Sequence, residues 1–83
     1  MKVDKLLYVE WIDPVGPHDE WTKISKVIKS GTALIRSVGF VARDDEKVLV
    51  LIPHVNDEQK DCFGDITIPK GCIKKRRVLK CPT

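Results

Sequence analysis

The sequence predicts a mainly β protein with one helix: a small, strongly bent five-stranded barrel forming a single domain over residues 1–83. Three observations carry this. Most apolar residues fall in short β-branched runs with period-two spacing, and the connections between those runs are brief and rich in Asp, Pro and Gly. Only one stretch, near the start, has helical spacing. The longest run carries a glycine at its centre, Gly39, where a sheet bends most cheaply.

The elements follow in order. Residues 5–12 contain Leu7, Val9 and Trp11 on one face of a strand and Tyr8 on the other, and Asp13-Pro14-Val15-Gly16-Pro17 stops it. Asp19 offers an acceptor to the free amides of a helix start, Trp21, Ile24, Val27 and Ile28 recur at helical spacing, and Gly31 ends the turn. A helix over about 19–30 results, with Lys23, Lys26 and Lys29 outward and an apolar face expected to cover the sheet. Residues 33–43 form a long strand that bends at Gly39, and Asp44-Asp45-Glu46-Lys47 makes a turn. Val48-Leu49-Val50-Leu51-Ile52 is apolar on both faces, as befits a central strand, and Pro53 closes it. Residues 54–64 read as polar loop. Asp65-Ile66-Thr67-Ile68 is a short strand, Pro69-Lys70-Gly71 a tight connection, and 73–79 the last strand.

Charge is segregated along this chain. Residues 70–83 hold six of the fifteen basic side chains and no acid, whereas residues 41–69 hold three bases against seven acids. A cationic end beside an anionic middle favours capture of an anion, or self-association, over diffuse adhesion to polyelectrolytes. On a strand, Lys74 and Arg76 face one way and Lys75 and Arg77 the other. Arginine's planar fork matches phosphate in two-point contacts, and Arg36 joins the set if the strands pair as in a closed barrel. The competing reading is a solvated edge whose charges prevent aggregation. The candidate ligand-binding residues are therefore Arg36, Lys75, Arg76 and Arg77, with Tyr8 and Trp11 as stacking surfaces. Trp11 and Trp21 have a second reading, as staples that fasten the helix to the sheet. Long duplex DNA is an unsuitable partner, because the acidic middle repels it and no helix carries base-reading chemistry.

Enzymatic parts are not legible. The chain has no P-loop, dinucleotide fingerprint or nucleophile elbow, and Asp44-Asp45-Glu46 reads as a solvated turn. Neither histidine, His18 or His54, has closely spaced cysteine partners, so no metal, cofactor or catalytic residue is expected. Cys62, Cys72 and Cys81 are odd in number and lack paired spacing, the start of the sequence is charged, and no run reaches the ~18 apolar residues of a membrane span. Reduced thiols in a cytoplasmic, non-membrane protein are expected. So small a domain commonly gains stability by association, which makes a homo-oligomer the expected state.

Over about residues 33–80, the run Ser37-Val38-Gly39-Phe40-Val41 through Leu51, then Ile66-Thr67-Ile68-Pro69-Lys70-Gly71-Cys72-Ile73, resembles the small SH3-like and Sm-like barrels. The resemblance implies a curved glycine-containing strand, an acidic turn, a hydrophobic central strand and a one-turn connection to the last strand. An Sm-like RNA binder is one function it opens. The wider layout, from Tyr8-Val9-Glu10-Trp11-Ile12-Asp13 through Trp21 to Ile66-Thr67-Ile68-Pro69-Lys70, resembles the short accessory proteins of bacteriophage genomes. That implies a non-enzymatic protein in the host cytoplasm that counters host defence, by sequestering a signalling nucleotide or short nucleic acid, or by docking onto and inhibiting a host protein.

Overall fold

A computed structural model describes residues 4–14, 21–28 and 31–81. Among these described residues, seven strands and one short helix follow in order: β1 (Leu6–Pro14), α1 (Ile24–Ile28), β2 (Thr32–Asp44), β3 (Val48–Ile52), β4 (His54–Asn56), β5 (Asp61–Phe63), β6 (Ile66–Pro69) and β7 (Ile73–Leu79). A single 3-10 turn, Lys70–Cys72, joins the last two. Five strands form one antiparallel sheet in the order β6-β3-β2-β1-β7, while β4 and β5 form a separate hairpin.

The bend lies in β2. Its first part pairs with β1, from Pro14↔Thr32 to Leu6↔Phe40, and its last part pairs with β3, from Phe40↔Ile52 to Asp44↔Leu49. Phe40 is the handover. Gly39 is buried beside it, and a Cβ there would meet the Leu51 Cβ at 3.1 Å and the Ile52 carbonyl oxygen at 3.2 Å. Glycine relieves crowding here, because β2 and β3 approach closely. The bulge itself falls two residues later, between Val41 and Arg43, where the extra residue sharpens the turn of the strand.

This bend encloses the core. Leu7, Val9 and Trp11 from β1 meet Leu49 and Leu51 from β3 and Ile68 from β6, with Ile35, Val41, Ile66 and Ile73 packed around them. The period-two face read from β1 is therefore the core face. Connectivity demands the same curl. The edges of a flat five-stranded sheet stand about 19 Å apart, whereas one 3-10 turn advances only about 6 Å, yet that turn carries the chain from edge strand β6 to edge strand β7.

The five-stranded barrel is borne out in its coarser form, a mainly β fold with five antiparallel strands. The ladder is not closed, since β6 and β7 are both edges. Side chains bridge part of the gap. Asp44, at the end of β2, receives Arg76 Nη2 of β7 at 2.8 Å and also Lys70 of the 3-10 turn. These two cations, Arg76 foremost, hold the Asp44 carboxyl well below the usual carboxylate range. In the adjoining turn, amides of Val48 and Lys47 donate to Asp45, and Arg43 pairs with it, so its pKa falls to about 2.

Two expectations need correction. Residues 54–64 are not mostly loop. They form the β4–β5 hairpin, in which the Asn56 side chain accepts from the Gln59 amide and Lys60 takes a left-handed φ of 58°. Nor does the helix cover the sheet. It buries no side chain, and Trp21, expected to staple it down, is fully exposed. The helix begins only at Ile24, residues 21–23 being non-helical, so it is shorter than expected; Asp19 and Ser30 themselves lie outside the described residues.

Two outcomes follow from this architecture. Gly39→Ala pushes a methyl group against ladder-bonded backbone and should lower stability by about 1–3 kcal/mol in denaturant titration. Asp44 and Asp45 are depressed in the folded chain, so their stabilisation is whole above about pH 4 and fades as pH falls towards about 2. Asp44→Asn should lower stability at neutral pH by about 1 kcal/mol, and should flatten the acid limb of a thermal-melting profile against pH.

Candidate functional site

Register decides where the candidate residues stand. Glu10 of β1 lies between Arg36 on β2 and Lys75 on β7, and Tyr8 lies between Val38 and Arg77. Residues directly opposite one another share a sheet face. Tyr8, Glu10, Arg36, Lys75 and Arg77 therefore occupy one face, on the side away from Leu7, Val9 and Trp11. Four of the six candidates are brought together. Arg36, Lys75 and Arg77 are exposed, Tyr8 and Glu10 half-buried.

The other two go elsewhere. Trp11 faces the interior, only 7% exposed, and its indole N–H donates to Ser37 Oγ at 3.0 Å. A stacking role is thereby corrected, because its rings are spent on the core and its polar atom on β2. Arg76 stands opposite Val9 on the core-facing side and pairs with Asp44. The alternation of a strand, already visible in the sequence, separates it from Lys75 and Arg77.

A residue not singled out in the sequence, Glu10, sits at the centre. The Tyr8 hydroxyl donates to Glu10 Oε2 at 2.6 Å. That bond, foremost, together with desolvation and the negative charge of Glu10, raises the Tyr8 pKa, while Arg36 acts in the opposite direction. Cross-strand neighbours on both sides of Glu10 are cationic, Arg36 on β2 and Lys75 on β7, and Arg77 stands on the same face opposite Tyr8. Of the chain's four arginines, Arg43 and Arg76 are engaged by Asp45 and Asp44. Among the described residues, Arg36 and Arg77 form no ion pair, and both stand on this face. Leu34 and Val38 border it with 59% and 52% exposure.

Spacing sets what the face can hold. Lys75 and Arg77 are two residues apart on one strand, about 7 Å, and Arg36 lies two strands away, about 10 Å. That is a triangle of donors able to engage separate oxygens of a multiply charged anion. Cys62, Cys72 and Cys81 are free thiols away from this triangle. No helix of the described residues is long and apolar enough to cross a membrane.

Tyr8 is the chain's single tyrosine, which makes its ionisation directly visible. Glu10→Gln should move the midpoint of tyrosinate absorbance to lower pH, because the neutral amide no longer disfavours the phenolate. Compared with protein-family models, with curated proteins and with solved structures, the chain matches none.

Proposed function

We propose that this protein is a non-enzymatic binder of an anionic ligand, a nucleotide or short single-stranded nucleic acid, held on the outer face of β1, β2 and β7. The observation that carries the reading is the sorting of arginines: two are neutralised by aspartates, and the two that form no ion pair among the described residues share one exposed face with Lys75 and Tyr8. Arg36, Lys75 and Arg77 bind phosphate oxygens, and Tyr8 supplies an aromatic surface for a base, worth ~1–3 kcal/mol where it stacks. Arg76 belongs to the framework rather than to the ligand.

The reading includes the finer form of the fold. A one-turn connection from β6 to β7, a bent β2 and β1 held between β2 and β7 support an SH3-like or Sm-like small barrel. The phage-accessory role, acting in the host cytoplasm against a host defence, rests on sequence layout alone. Docking of an acidic host protein on the same face is a second reading, favoured by exposed Leu34 and Val38 beside the cations.

The test is titration of the full chain with a fluorescent nucleoside triphosphate and with a labelled six-nucleotide single strand. Arg36→Ala and Arg77→Ala should each weaken binding about tenfold or more, Arg43→Ala should leave it unchanged, and rising salt should weaken it steeply. Binding of neither probe, with capture of one acidic protein that a chain carrying both Arg36→Ala and Arg77→Ala loses, would replace this reading by the second.

A further inference from the structure

Among the described residues, large exposed apolar side chains cluster in sequence at and just before α1. Ile24 and Ile28, one turn apart on the helix, are each 77% exposed, Trp21 three residues before it is 104% exposed, and Val27 is 49% exposed. Contiguous apolar side chains of this size on a small protein mark an interaction site. Lysines accompany them. Residues 21–28 contain Lys23 and Lys26 and no acid.

A complementary surface lies at the β4–β5 hairpin. Ala42, Ile52, Val55 and Cys62 line a largely apolar cavity of about 270 Å³, rimmed by Asp57 and Asp61 with Lys60 between them. Exposed Phe63 stands on the same hairpin. Residues 54–65 carry four acids against one base, the opposite sign to the helix segment. The cavity is smaller than the roughly 300 Å³ at which ligand pockets usually begin; it is the size for one large side chain. Within one chain neither surface serves the other, since α1 buries none of its residues.

We infer that the occupant is a second copy of this chain: Trp21 of one protomer seats in the hairpin cavity of the next, with Ile24 packed against the exposed Phe63 beside it and Lys23 set against the acidic rim. Apolar fit and opposite charge point to the same pairing. The contact joins two different patches, so it is head-to-tail and builds a ring or an open chain rather than a twofold dimer. Its size, on the order of 1,000 Å² in total, lies at the lower limit for specific association, so assembly depends on concentration across the micromolar range.

The test uses the full chain. Its mass in solution should rise with concentration from the 9.4 kDa of one chain to multiples of it, and Trp21 emission should shift to the blue over the same range. Trp21→Glu, which spoils the inserted side, and Cys62→Arg, which spoils the cavity, should each give single chains with unchanged circular dichroism. Mixed in equal amounts, they should form a one-to-one pair and nothing larger, because each supplies the half that the other lacks. Single chains at every wild-type concentration, with Trp21 emission fixed at the solvent-exposed wavelength, would overturn the inference whether or not the variants fold. So would two folded variants that fail to pair on mixing.

Discussion

Everything in this molecule turns on β2 changing partners at Phe40. Its two partners lie on opposite edges and at opposite ends, β1 along Thr32–Phe40 and β3 along Phe40–Asp44. By dividing itself, β2 folds one half of the sheet over the other, and Leu7, Val9 and Trp11 come to face Leu49, Leu51 and Ile68. The close approach that makes this possible would crowd any side chain at position 39. The same fold-over carries Asp44 across to Arg76, so an ion pair spans a place where no ladder runs.

That arrangement sorts the charges by task. Two residues adjacent in sequence, Arg76 and Arg77, point to opposite sides of β7 and meet different fates. One is held by a carboxylate on the core-facing side, the other stands free beside Tyr8. The surplus of positive charge that dominates the end of the sequence is thus smaller, as a resource for binding, than its length implies. Glu10 reduces it further, and also fixes the phenol next to it.

Much of this was legible in the sequence. Period-two spacing located the core face of β1, the apolar run at 48–52 located the interior strand, and alternation along 73–79 separated Arg76 from its neighbours. What escaped was set by pairing between distant segments. The β4–β5 hairpin is too short and polar for a periodic signal and becomes visible only through its cross-strand register. Glu10 gains significance because β2 and β7 bring Arg36 and Lys75 to its flanks, a fact no local pattern contains. Helical periodicity marked a segment that contains α1, but periodicity reports that an apolar face exists and cannot say what covers it.

The position of β1 between β2 and β7 has a further consequence, for the time course of folding. Leu6 must find both Phe40 and Leu79, so β1 waits for a partner almost the whole chain away. Closing so long a loop is entropically slow, and topologies of this kind fold in milliseconds to seconds rather than microseconds. During synthesis the earlier strands emerge well before Leu79 does, leaving one side of β1 open to unwanted neighbours until the final strand arrives.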